Sequence, residues 1–235
     1  MSDLVPILAD NLARVRDQIA RAASAAGRKA EEVTLIGVTK YAGPDVAKLL
    51  VKAGLTDLGE SRPQELWRKA EALAGENIRW HLIGHLQRNK IRRTLPLTAL
   101  IHSGDSLRLL AALDEEAAAL SQRCDVLLEV NISGDQAKHG FSPGELAPLL
   151  TTIAAMSNLH IRGLMGMASL EGNLDDARRQ FVSLRELRDD LRKNCPPQIE
   201  LAELSMGMSG DFEQAIAEGA TIVRIGSALL EEVTT

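Results

Sequence analysis

The stretch Leu204–Leu230, LSMGMSGDFEQAIAEGATIVRIGSALL, decides the fold. An apolar run over Glu200–Ser205 leads into it and turns at Gly207 and Gly210. SGDFEQAIAEG then reads as a helix ending on Gly219, because glycine adopts the left-handed backbone that terminates helices. A second apolar run, Thr221–Ile225, ends at Gly226-Ser227, where a further helix is expected to begin. Two strands joined through a helix pair in parallel.

The same unit repeats back toward the N-terminus. Strands are expected at Val33–Thr39, Asp57–Gly59, Arg79–Gly84, Ala99–Ser103, Val126–Asn131 and His160–Gly166, besides the two above. Between them lie helical patterns such as DVAKLLVKAG, RPQELWRKAEAL and DSLRLLAALDEEAAAL. Leu174, Ala177, Phe181, Leu184, Leu187 and Leu191 form one apolar stripe. An extra helix comes first, with Leu4, Leu8, Leu12, Val15 and Ile19 at helical spacing and Gly27 as its stop. Eight strands alternating with helices give the α/β class and a single (β/α)8 TIM barrel with an extra N-terminal helix, one domain over residues 1–235. A doubly wound open sheet is the runner-up. The first strand carries no G-x-G-x-x-G, which counts against dinucleotide binding.

Composition narrows the function. The chain has 235 residues, net charge −5, one Tyr, two Trp and three Phe. No aromatic and basic surface for nucleic acid is expected, and the short basic run Lys90–Arg93 reads as a solvated helix face. Cys124 and Cys195 stand far apart, so neither a disulfide framework nor a metal centre is expected. His81 and His85 are four apart across a glycine that ends a strand, which is not a helical metal pair. No apolar run reaches membrane-span length. A cytoplasmic protein with no obligate oligomer is the expectation.

In such barrels chemistry sits at the C-terminal ends of the strands. Here those ends carry Lys40, Ser61, His85, Asn131, Ser205 and Ser227. The ends of strands seven and eight, with Ser205, Ser209, Arg224, Gly226 and Ser227, match the recurrent phosphate position, where helix N-termini offer free N–H groups. Lys40 ends strand one, the neighbour of strand eight in a closed barrel. Burial would favour its neutral amine, which attacks carbonyls to form a Schiff base. A phosphosugar and pyridoxal phosphate both fit. His81 is expected near the barrel mouth or in packing, Asn131 at a ligand hydroxyl or in its own turn, and Met165 and Met167 chiefly in the core. Lys138 and His139 lie in a polar loop that gates the site or is merely solvated.

Seven motifs resolve the choice: GVTKYAG, GESRPQE, WHLIGHLQRNK, IHSGDS, EVNISGDQAKHGF, IRGLMGMA and the long stretch from Leu204. With these the chain resembles the pyridoxal phosphate homeostasis protein family, roughly from Val33 to Ser227. The resemblance implies pyridoxal 5'-phosphate as cofactor, held as a Schiff base on Lys40. It implies a phosphate cradle from Ser205 through Ser209, including Met206, with Arg224, Gly226 and Ser227. It also implies a barrel similar to that of alanine racemase. Ser61 stands where the family usually has asparagine, which weakens a contact from that position to the cofactor ring. Arg224 is assigned to the phosphate, with the pyridine nitrogen as the alternative.

A racemase needs a second acid/base on the opposite face of the cofactor. In the similar enzyme a second domain supplies a tyrosine, whereas here the one tyrosine is Tyr41, next to Lys40. The expectation is a non-enzymatic protein that buffers pyridoxal phosphate and passes it to apo-enzymes that need it. An amino-acid racemase or a phosphosugar Schiff-base lyase is the alternative.

Overall fold

The computed structural model describes residues 4–135, 139–169 and 171–233. Its strands are β1 Thr34–Val38, β2 Asp57–Glu60, β3 Arg79–Leu82, β4 Thr98–Gly104, β5 Cys124–Val130, β6 Leu159–Gly166, β7 Glu203–Ser205 and β8 Ile222–Ile225. Each pairs in parallel with the next, and β1 pairs with β8, so the sheet closes into a barrel. The open-sheet alternative is thereby excluded. The helices are α1 Leu4–Ala25, α2 Pro44–Lys52, α3 Pro63–Ala72, α4 Ile91–Thr94, α5 Leu107–Ala119, α6 Leu146–Ala154, α7 Leu174–Lys193 and α8 Phe212–Ala217. Among the described residues, no helix is long and apolar enough to cross a membrane.

The period of two along each strand sorts side chains into two populations. One packs between sheet and helices and forms the large core, with Leu58, Leu82, Ile101, Leu128 and Leu204 from the strands. The other meets inside the barrel: Ile36, Leu100, Leu127, Met165 and Ile222 come from five strands and touch one another. Val38, Met167 and Arg224, two positions beyond Ile36, Met165 and Ile222, share that face and line the mouth.

The helix expected after β8 does not form. Leu229 and Leu230 bond back to Gly226, and Val233 to Leu230, which makes single turns. Helix α1 fills that place in the outer ring, packing against α8 and α2. Its buried stripe is Leu8, Leu12, Val15 and Ile19, each contributing about 1.5–3 kcal/mol by burial. Asn11 Nδ2 fixes the seat by donating to the carbonyl oxygens of Leu229 at 3.2 Å and Glu231 at 2.9 Å.

Candidate functional site

A cavity of about 710 Å³ opens at the C-terminal end of the barrel. Lys40 and Tyr41 line it from just beyond β1, Ser61 from just beyond β2, Ile83 and Gly84 from just beyond β3, and Met167 from just beyond β6. The turns after β7 and β8 complete it with Met208, Ser209, Gly226, Ser227 and Leu230. Strands β2 and β3 approach closely at the rim: a Cβ on Gly84 would lie 2.2 Å from the Ser61 carbonyl oxygen. At Gly207, φ is +92°, and a Cβ there would meet the Ala215 Cβ at 2.6 Å. That turn therefore requires glycine.

Lys40 is exposed, not buried as the sequence suggested. Its Nζ lies 4.9 Å from the centre of the Tyr41 ring, and that ring is 79% exposed. What is rigid is the backbone beneath it. Thr39, one residue earlier, accepts a hydrogen bond at its carbonyl from Lys69 Nζ at 2.6 Å. Lys69 reaches there from α3 and pairs with Glu60, both side chains fully buried. Thr39 Oγ1 donates to the same Glu60 oxygen at 2.5 Å. Glu60 Oε2 has no hydrogen-bond partner in this buried cluster.

The turns after β7 and β8 form an oxygen-binding nest. The N–H groups of Gly226 and Ala228 both point at Ser209 Oγ, at 3.2 and 3.4 Å. Helix α8 is only six residues long. The converging backbone donors, rather than a helix dipole, are what this corner offers an anion.

Arg224 forms the cavity floor and is 4% exposed. Its Nη1 donates to Ser205 Oγ at 2.6 Å and its Nη2 to the Gly166 carbonyl oxygen at 3.1 Å. Both acceptors are neutral. Burial pushes the guanidinium down to about 10, against the pull of the Asp211 and Glu129 charges. The Asp211 carboxyl is raised by burial, while its Oδ1 accepts the Met208 N–H at 2.6 Å.

Below Arg224 a polar file runs down the barrel interior. Ser205 Oγ lies 2.9 Å from His102 Nδ1, His102 Nε2 lies 3.1 Å from His81 Nδ1, and His81 Nε2 lies 3.0 Å from Asp57 Oδ1. Burial holds His102 well below its ordinary pKa, and the charge of Arg224 acts in the same direction.

Of the residues singled out in the sequence, Lys40, Ser61, Ser209, Arg224, Gly226 and Ser227 meet in this one cavity. Ser205 is fully buried beneath Arg224 and does not line it. Met206 turns outward into the sheet-to-helix core, as strand alternation demands. His81 lies deep in the barrel between Asp57 and His102, away from the mouth. Asn131 closes its own turn, donating to the Asp135 carbonyl at 2.7 Å and accepting from the Gly134 N–H at 3.1 Å. Met165 is interior packing, while Met167 reaches the cavity. Lys138 lies outside the described residues. The Trp67 ring has Lys90 at 5.7 Å and Arg93 at 4.4 Å, so the short basic run covers an aromatic.

Sequence reasoning missed His102 and Glu129. Glu129 shares an inward face with Leu127 at the end of β5. Burial pushes its carboxyl up to about 7, assisted by Asp105 and opposed by Arg224 and His85. Nearby, His85 Nδ1 lies 2.9 Å from Asp105 Oδ2 and its ring stacks on His139 at 4.3 Å, 15° from parallel. Parallel rings do not aim their lone pairs at one point, so this trio of possible ligands is not arranged around an ion.

Residues 11–232 match the family described as alanine racemase, N-terminal domain. The chain is 40% identical to a pyridoxal phosphate homeostasis protein of Aquifex aeolicus, covering 95% of this chain and 97% of that one. It is 39% identical to the Pseudomonas aeruginosa protein of the same name, covering 94% of each. PipY of Synechococcus elongatus, solved with PLP bound, superposes with a TM-score of 0.84 at 32% identity, covering 94% of this chain and 99% of that one. Alanine racemase of Clostridium difficile shares the fold at 18% identity and a TM-score of 0.74, covering 96% of this chain and 58% of the enzyme.

Proposed function

The chain belongs to the pyridoxal phosphate homeostasis protein family, and on that premise we propose that it binds pyridoxal 5'-phosphate at the barrel mouth, as a Schiff base on Lys40. Residues 1–235 then work as one cofactor-binding domain. The observation that carries the reading is a pairing within one cavity. A primary amine on Lys40 faces the same space as Arg224, a buried cation whose direct hydrogen-bond partners are neutral.

The residues fit such a ligand. Among the described residues no carboxylate is hydrogen-bonded to Arg224, so a direct charge-assisted contact is left for an anionic group. The Gly226 and Ala228 N–H groups already converge on one oxygen, that of Ser209. They would hold a phosphate oxygen by the same donors, with the Ser209 and Ser227 hydroxyls beside them. When bound, the cofactor supplies an aldehyde and an electron-withdrawing ring. Lys40 supplies the nucleophilic amine, and Lys69 holds the backbone from which that amine projects.

The role we propose is non-enzymatic: buffering the cofactor and handing it to cytoplasmic apo-enzymes. Tyr41 is the one phenol of the chain and stands on the same strand end as Lys40. It is not placed to face Lys40 across a bound ring, as two-base racemisation requires. The open position of Lys40 suits exchange with competing amines and water, which controlled carbanion chemistry must exclude. The fold shared with alanine racemase is the one observation favouring a minor racemase.

Borohydride reduction of the holo-protein followed by peptide mapping should place the pyridoxyl label on Lys40. A label on Lys48 or Lys52 instead would overturn the assignment. Turnover of D- and L-amino acids should not exceed that of the free cofactor. Sustained turnover abolished by Tyr41→Phe would restore the enzyme.

A further inference from the structure

We infer that Ser205, His102, His81 and Asp57 are positioning residues, a one-way hydrogen-bond file through the barrel that holds Arg224 at the cavity floor. The two ends fix its direction. A guanidinium only donates and an ionised carboxylate only accepts. Arg224 Nη1 gives its proton to Ser205 Oγ at 2.6 Å. The Ser205 hydroxyl then donates to His102 Nδ1 at 2.9 Å. His102 carries its own proton on Nε2 and donates to His81 Nδ1 at 3.1 Å. His81 in turn carries its proton on Nε2 and donates to Asp57 Oδ1 at 3.0 Å.

Each member is thus forced into one tautomer or rotamer by the next. The opposite tautomer at His102 would aim a second N–H at Ser205 Oγ and set two lone pairs against each other at His81. Asp57 stays ionised at neutral pH. Burial raises its carboxyl, but the hydrogen bond from His81, the Arg79 charge and the Thr56 hydroxyl act against burial, and the carboxyl lies below its ordinary value. A TIM barrel interior is normally filled by branched apolar side chains, as Ile36, Leu100, Leu127, Met165 and Ile222 fill part of this one. A buried polar file costs stability unless every link is made, and here every link from Arg224 to Asp57 is made. Its product is an arginine with one N–H committed to Ser205, beside the one that the Gly166 carbonyl holds, while it still lines the cavity.

The affinity arm of the test rests on the cofactor reading above; the tautomer arm does not. In the full-length apo-protein with ¹⁵N-labelled histidine, NMR should report His81 and His102 as single Nε2–H tautomers. Asp57→Asn keeps the shape and removes the anchoring charge, and should mix the tautomers of both rings. It should also weaken pyridoxal 5'-phosphate binding about tenfold, the equivalent of about 1.4 kcal/mol. Ser205→Ala cuts the file at its other end with a small change of volume and should weaken binding similarly. An Nδ1–H tautomer at His102 in the wild type overturns the direction of the file. Unchanged affinity in both Asp57→Asn and Ser205→Ala overturns the positioning role. Correct tautomers in a wild-type protein that binds no cofactor would support the file and remove the cofactor reading instead.

Discussion

Lys69 Nζ donates to the carbonyl oxygen of Thr39 at 2.6 Å, across 30 residues of sequence, and so ties helix α3 to the end of the strand that presents Lys40. Its charge is met by Glu60, and both side chains are fully buried. Removing one partner from such a pair leaves an uncompensated charge. Lys69→Met should therefore cost about 3–5 kcal/mol in denaturant unfolding. Lys69→Met with Glu60→Leu should recover most of that loss, because the buried carboxylate goes too. Equal losses in the single and double variants would disprove the coupling.

Arg224→Gln should weaken binding of pyridoxal 5'-phosphate. A charge-assisted contact is worth about 1.5–3 kcal/mol, which corresponds to roughly ten- to a hundredfold in Kd. Titration of the apo-protein with the phosphorylated and unphosphorylated vitamers separates two positions for the arginine. Loss confined to the phosphorylated form places Arg224 at the phosphate, and equal loss for both places it at the ring.

Glu129 gives a pH signature. Its carboxyl is raised from the ordinary 4.5 to about 7 by burial first and Asp105 second. The folded state thus holds a proton that the unfolded state releases between about pH 4.5 and 7, and stability falls as pH rises through that window. Glu129→Gln removes the penalty. It should stabilise the protein at pH 8 by about 2–3 kcal/mol and leave stability at pH 4 nearly unchanged. A gain independent of pH would place the carboxylate in a wetter setting.

The two thiols should differ in reactivity. Cys124 is buried, and burial pushes its thiol up to about 12, with Asp125 contributing. Cys195 is only half-buried. Alkylation at pH 8 followed by mass spectrometry should modify Cys195 alone until the protein unfolds, since thiolate is the reactive form.

Much of this was legible because barrel chemistry gathers at strand ends and strand ends announce themselves. Lys40, Ser209, Gly226 and Ser227 each follow an apolar run at a turn, Arg224 lies one residue before the end of β8, and all line one cavity. What strand ends do not reveal is direction. Ser205 and Met206 are adjacent, yet alternation sends one beneath Arg224 and the other out to the helices. His102 sits among polar neighbours in IHSGDS, and its inward aim follows only from the register of β4. That register shifts against both neighbouring strands. The expected helix after β8 failed because ALLEEV is held as single turns against Gly226 and Ser227, while Asn11 of α1 claims the carbonyls of Leu229 and Glu231.

That seat of α1 has a consequence for how the protein is made. Its partners on the turn after β8 lie 218 and 220 residues away, and β1 must also wait for β8 before the barrel closes. Helix α1, made before every strand of the barrel, is therefore among the last elements to find its place. At about 5–20 residues per second, synthesis of these 235 residues takes on the order of 10–50 s. For most of that time the stripe of Leu8, Leu12, Val15 and Ile19 has no barrel to lie on. Ring closure is the event that hides it, so its exposure marks unfinished chains and ends only when the last strand arrives.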